Sequence, residues 1–225
     1  MRTQRFRIEA SDEGKRSRTR ALLMDAAVTV FASVGVDAAA ISEITSTAGL
    51  SNGIFYYHFK DKAELVEAVG HAVAAALVRE VDMAIAALDD GAERVACATQ
   101  EFIRRAAAEP EWGWLVVRAV GDMGSFDDQI SKGIRKDVAI GLAQGKFAVE
   151  ADDFLFTSLL AVVGVAIRER LRRPRAQAIE RRASELVLGM LGLSPAQAHA
   201  IAVRVEQNHL RLPATRKPKA AAKKA

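Results

Sequence analysis

The chain has 225 residues, half of them apolar and 27% charged, with a formal net charge of +4 and a single cysteine. One cysteine excludes an internal disulfide and fits a reducing compartment. The longest apolar run, Phe154 to Ile167, is fourteen residues, short of the ~20 that a bilayer-spanning helix needs. The N-terminal arginines are not followed by the apolar region of a secretory signal, so a cytoplasmic protein without a membrane partner is expected.

Charge is unevenly placed. Residues 1–20 carry seven Lys/Arg against three Asp/Glu and residues 204–225 carry seven against one, so the ends are +4 and +6 and the body between them −6. Basic ends on an acidic body point to a polyanion partner, with solubilising arms as the plainer alternative.

In chain order, residues 1–14 have no helical period and form a predicted disordered basic arm. A helix follows over Lys15–Val34, with Leu23, Ala27, Val30 and Phe31 as its inward stripe and Gly35 as its stop. The next stretch, ISEITSTAGLSNGIFYYHF from Ile41 to Phe59, reads as two short helices around a tight turn. Ile41, Ile44 and Ala48 share one face of the first. Gly49 supplies the positive φ that a chain leaving a helix often needs. Ser51 stands at the cap position of the second helix, in which Phe55 and Phe59 lie four apart and pack inward. This is the pattern of a helix-turn-helix, whose second helix enters the DNA major groove. Gly53 permits close approach to a phosphate backbone, Tyr56, Tyr57 and His58 can donate to phosphates or base edges, and Lys60 and Lys62 follow. A helical packing unit with half-buried tyrosines is the alternative that this stretch alone leaves open.

The ordered set Leu23, Ala26, Ala27, Phe31, Gly35, Ile44, Ala48, Gly49, Ser51, Gly53, Phe55, Tyr56, His58, Phe59, Lys62 and Leu65 resembles the N-terminal domain of the TetR family of bacterial transcriptional regulators. The resemblance implies an all-α chain with a three-helix DNA-binding domain over 15–65 and a helical ligand-binding and dimerisation domain over 66–212. It implies DNA contacts from Arg18, Arg20, Ser42, Ser51, Asn52, Gly53, Tyr56, Tyr57, His58, Lys60 and Lys62. Three positions depart from the family pattern. Ala39 stands where a capping Thr or Ser is usual, leaving that role to Ser42 or a backbone N–H; Thr45 replaces an Ala; and Asn52 replaces a frequent Lys, where it could pair with adenine.

Beyond the motif, Asp61 is placed to cap a long helix from Lys62 to about Leu88, striped by Leu65, Val69, Val73 and Leu77. In the family this helix ties the DNA-reading head to the second domain. Helices are then predicted up to Pro110, over Trp112–Val120, from Ile130 to Gly145, over Asp152–Arg173, from Ile179 to about Met190, and after Ser194-Pro195. The 152–173 segment is apolar around most of its circumference, so it must be covered on more than one side. A second copy of the chain is the expected cover. By the resemblance, the 179–191 helix joins it in a four-helix seam, with Leu159, Val163, Ile167, Ala183, Leu186, Val187 and Met190 as interface residues. The family also encloses a small-molecule pocket, for which Phe102, Trp112, Trp114, Val117, Met123 and Phe126 are the candidates, and Arg104, Arg105 and Arg118 could meet an anionic ligand. Cys97 falls opposite the apolar stripe of its helix.

The tail PATRKPKAAAKKA, residues 213–225, is low-complexity and predicted disordered, suited to non-specific phosphate neutralisation. No His/Cys/Asp/Glu set has metal-ligand spacing, no Gly-rich phosphate loop or nucleophile motif is present, and no cofactor or enzymatic activity is expected. The expected function is that of a homodimeric, ligand-responsive repressor on an inverted-repeat operator in double-stranded DNA. A ligand-independent or architectural DNA-binding protein is the alternative.

Overall fold

The computed structural model describes residues 14–108, 110–121, 128–176 and 178–208. The described residues fold into helices and connecting turns: α1 (Lys15–Val34), α2 (Ile41–Ala48), α3 (Asn52–His58), α4 (Lys62–Ala84), α5 (Gly91–Ala108), α6 (Pro110–Gly121), α7 (Asp128–Ala143), α8 (Asp153–Arg172), α9 (Ile179–Met190) and α10 (Pro195–Asn208). The fold is all-α, with a helix-turn-helix domain at the N-terminus and a helical domain after it.

In the head, Leu23, Ile44, Phe55, Phe59 and Leu65 are almost wholly buried and close one core beneath α1, α2 and α3. The Phe55 and Phe59 rings stack at a tilt, centroids 5.8 Å apart, as their spacing on one helical face requires. Gly49 takes the left-handed conformation at φ 67°, and Leu50 N–H reaches back to Thr45 O at 2.8 Å. That closes the last turn of α2 and sets the angle of α3.

Three local expectations change. Ala39 is a buried core residue, and Ala40 is the cap of α2. Glu43 supplies the missing cap contact from the other side, its Oε2 accepting Ala40 N–H at 3.0 Å, so neither Ser42 nor residue 39 caps this helix. Ser51 does stand at the cap of α3, but without a side-chain hydrogen bond; its carbonyl accepts Ile54 N–H at 3.0 Å instead. The long helix α4 stops at Ala84, short of Leu88.

α4 begins as predicted, with Asp61 Oδ1 accepting Glu64 N–H at 2.9 Å. Its far end is fixed by Arg94 from α5, whose Nη1 donates to Ile85 O and Leu88 O, both at 3.0 Å, while its Nε donates to Asp137 Oδ1 of α7 at 2.6 Å. Arg94 and Asp137 are both buried, so the pair ties three helices together in a low-dielectric setting. α5 is the central element, packing against α7, α8, α9 and α10. Gln100 on α5 reinforces this by donating to Ser184 Oγ at 2.9 Å and to Ala202 O at 3.0 Å. Glu101 gathers Arg104 and Arg105, and Arg105 also reaches Glu80 on α4 at 3.1 Å. Arg105 thus ties α5 to α4, whereas Arg104 pairs with Glu101 on its own helix. Cys97, expected off the apolar stripe, is buried in the core.

Candidate nucleic-acid interface and ligand cavity

α3 turns Phe55 inward and leaves Asn52, Gly53, Tyr56 and Tyr57 on the outside, with Ser51 before it and Lys60 after it. Tyr56 and Tyr57 are 60% and 66% exposed, which rules out half-buried core tyrosines. Ser42 on α2 and Arg18 and Arg20 on α1 are exposed as well. Two cations are positioned by aromatic rings: Arg16 lies 5.2 Å from the Tyr57 ring centre and Arg20 lies 4.8 Å from that of Phe59. Arg16, not among the expected contacts, thus holds a tyrosine of the outward face. His58 is half-buried, and burial, followed by the charges of Arg16 and Arg20, lowers its pKa. Ile54, 36% exposed on the same short helix, is a further residue that the sequence did not single out; an apolar side chain here suits a thymine methyl.

Two of the three departures from the family pattern, Thr45 and Asn52, meet. The Thr45 hydroxyl donates to Asn52 Oδ1 at 2.6 Å and also lies 3.1 Å from Ser42 O. A single hydroxyl proton serves one acceptor at a time, and the shorter contact is the one to Asn52. Thr45 is buried, so it holds the Asn52 amide from beneath.

Lys62 behaves differently from the expectation. Its Nζ donates to Val36 O at 3.1 Å, Asp37 O at 2.9 Å and Ala39 O at 2.9 Å. An ammonium has three N–H donors, and all three are directed to the loop between α1 and α2. Lys62 ties that loop to α4 instead of presenting its donors to a phosphate.

In the second domain, α4, α5, α7 and α8 surround a cavity of about 70 Å³. Its wall is mainly hydrocarbon, with polar groups from Asp82, Thr99 and Asp137. Phe102 is part of the wall, whereas Trp112, Trp114 and Val117 are not among its described lining residues. Trp114 is 40% exposed and Trp112 packs against the core. Met123, Phe126 and the Arg118 side chain lie outside the described residues, as do residues 1–13 of the N-terminal arm and the 213–225 tail.

On the outer face of α8 and α9 runs an open groove of about 500 Å³, lined by Ala161, Val162, Val165, Ile179, Ala183 and Leu186 among others. The expected seam residues divide. Leu186 is 61% exposed, and Ala183, though buried, borders the groove. Leu159, Ile167 and Val187 are fully buried within the chain, and Val163 faces the cavity. Val165, not among the expected residues, is 53% exposed.

Among the described residues no group of His, Cys, Asp and Glu could hold a metal ion, and no helix is long and apolar enough to cross a membrane.

The sequence profile "Bacterial regulatory proteins, tetR family" matches residues 23–69, and "Tetracyclin repressor-like, C-terminal domain" matches residues 90–204. The HTH-type transcriptional regulator AcrR of Shigella flexneri is 40% identical over 47 residues, 21% of this chain and 22% of that protein. SrpR of Pseudomonas putida is 41% identical over 51 residues, 23% of this chain and 24% of its own length. These matches span about a quarter of the curated relatives' length. Among solved structures, RolR in complex with resorcinol superposes with a TM-score of 0.75 at 29% identity, over 84% of this chain and 95% of that one. RolR without ligand gives 0.67 at 28%, over 82% and 96%. With its motif helix exposed over a closed core and its second domain matched over 90–204, the chain belongs to the TetR family of bacterial transcriptional regulators.

Proposed function

We propose that this chain is a homodimeric, ligand-responsive repressor, in which two copies of α3 read the inverted half-sites of a palindromic operator. The observation that carries this reading is the pairing of two uncovered surfaces: the outward face of α3 with Asn52, Tyr56 and Tyr57, and the apolar α8–α9 groove with Val165 and Leu186. An exposed apolar face of this kind marks an association site, and a second copy of the same groove covers it with two-fold symmetry. Arg18, Arg20, Ser42, Ser51, Gly53 and Lys60 supply backbone contacts around the bases that Asn52 and the tyrosines read. The cavity beside α4 receives a small molecule, and occupancy shifts the population towards a head spacing that fits the operator poorly. RolR, whose structure holds resorcinol, supports a small ligand for this second domain. The protein acts by binding, in the cytoplasm, without catalytic turnover.

The seam is tested with Val165→Arg and Leu186→Arg, both on the uncovered face. Sedimentation should show a wild-type dimer and folded, monomeric variants with at least tenfold weaker operator binding, because a charge is left unpaired in the closed seam. Val163→Arg is not an equivalent test, since Val163 is internal. A folded wild-type monomer that binds its operator with full affinity would overturn the two-headed reading.

A further inference from the structure

The cavity between α4, α5, α7 and α8 has a definite chemical character. Hydrocarbon from residues such as Val78, Phe102, Leu160 and Val163 surrounds two carboxylates, Asp82 and Asp137, and one hydroxyl, Thr99. No Lys, Arg or His is among its described lining residues. The cation next to it, Arg94, is committed to Asp137 Oδ1 and to the Ile85 and Leu88 carbonyls. Lys136 also acts on Asp137 from outside the wall, but the described lining itself carries two carboxylates and no cation. An anion entering here would be stripped of water beside like charge, with the Thr99 hydroxyl as the one side-chain donor among the described lining residues. A hydroxyl proton finds acceptors, because a carboxylate offers about four lone-pair sites and Arg94 occupies one at Asp137. Burial, with a smaller push from the Asp82 charge, raises the Asp137 pKa, and the Arg94 hydrogen bond opposes the rise.

Size narrows the ligand further. The cavity, about 70 Å³, is below the ~150 Å³ of an engineered cavity that takes up benzene, so one ring is the upper limit and the helices must part slightly to admit it. Gly133 lines the wall at this point. A Cβ there would lie 3.3 Å from Val78 Cγ1 and 3.4 Å from Asp82 Oδ1, so the missing side chain keeps open the space beside Asp82.

We propose that this cavity binds an uncharged, single-ring molecule bearing hydroxyl groups, with the ring against Phe102 and Val163 and the hydroxyl protons accepted by Asp137 and Asp82. The proposal rests on the ligand-responsive reading above and adds the chemistry of the ligand and its route to the head. A hydroxyl bonded to Asp137 draws on the carboxylate that holds Arg94, and Arg94 holds the carbonyls that follow α4. Occupancy thus acts on the end of the helix that begins at the DNA-reading head.

The test uses the full-length protein with resorcinol, 1,3-dimethoxybenzene and benzoate as probes, followed by calorimetry and by operator release. Resorcinol should bind at least tenfold more tightly than 1,3-dimethoxybenzene, which keeps the ring but lacks the donors, and more tightly than benzoate, which carries the charge. Asp82→Asn should weaken resorcinol at least fivefold with an unchanged thermal midpoint. Gly133→Val, which fills the space beside Asp82, should abolish resorcinol binding in a protein whose helical circular-dichroism signal is retained. Asp137→Asn also loosens Arg94, so the other two variants carry the test. Benzoate binding as tightly as resorcinol, unaltered resorcinol affinity in both Asp82→Asn and Gly133→Val, or no resorcinol binding at millimolar concentration would overturn the assignment. Release of the operator by benzoate alone would overturn this chemistry and leave the ligand-responsive regulator standing. Resorcinol that binds here without releasing operator would leave the site and remove the switch.

Discussion

Replacing Lys62 by Met keeps most of the side-chain volume and removes the ammonium that gathers the carbonyls of Val36, Asp37 and Ala39. A hydrogen bond to a charged group contributes about 1.5–3 kcal/mol. The three bonds share one donor group, so they do not add, and the Asp37 bond is exposed, where water replaces it at little cost. The net loss should therefore be close to one such bond, about 1.5–3 kcal/mol, and fall on the head. Urea unfolding followed by circular dichroism measures it. Operator binding should weaken through loosening of the α1–α2 loop, but the dependence of log affinity on log salt should keep its slope. A lysine that neutralised a phosphate would instead change that slope by about one unit when removed. Unchanged stability together with a slope lower by one unit would refute the tie and return Lys62 to the DNA.

Asn52→Ala should relax base preference at one position of each half-site by about 1–3 kcal/mol, the worth of a good side-chain–base pairing, as read by binding to a library of operator variants. Thr45→Val, which removes the hydroxyl that holds Asn52 Oδ1, should blur the same position and no other; an unchanged preference in both variants would contradict the pairing. Burial, with Glu101 adding to it, pushes the Cys97 thiol up to about 12. The thiolate is the reactive form, so the native protein at pH 8 should label slowly with a thiol reagent and rapidly once unfolded. Stoichiometric native labelling within seconds would show the side chain to be accessible.

The head was largely legible in the sequence because its signals are local. Gly35 and Gly49 mark turns at positive φ, and the Phe55–Phe59 spacing fixes the inward face of α3. The loop contacts of Lys62 are not legible in the sequence, because a lysine after an aromatic helix advertises charge, while its partners lie 23 to 26 residues back in a loop without a pattern. The sequence of α8 calls for cover on several sides, but a helix apolar all round has no phase to say which side faces out. Leu159 and Ile167 proved internal, and Val165 proved exposed. The cavity was hidden for a different reason. Large aromatics drew attention to Trp112 and Trp114, whereas its polar groups, Asp82, Thr99 and Asp137, come from three helices. The available signal was a charged residue inside an apolar stripe on two helices, Arg94 beside Val95 and Asp137 beside Val138, with opposite signs that invite pairing.

The central claim is that α3 in two copies reads one dyad-symmetric site. Genomic fragments selected on the purified full-length protein and then footprinted test it most directly. The account predicts protection of a single inverted repeat by two chains, loss of that footprint when either half-site is scrambled, and its retention in competition with bulk DNA. Uniform coverage of unrelated fragments with no preferred sequence, as an architectural protein would give, contradicts it.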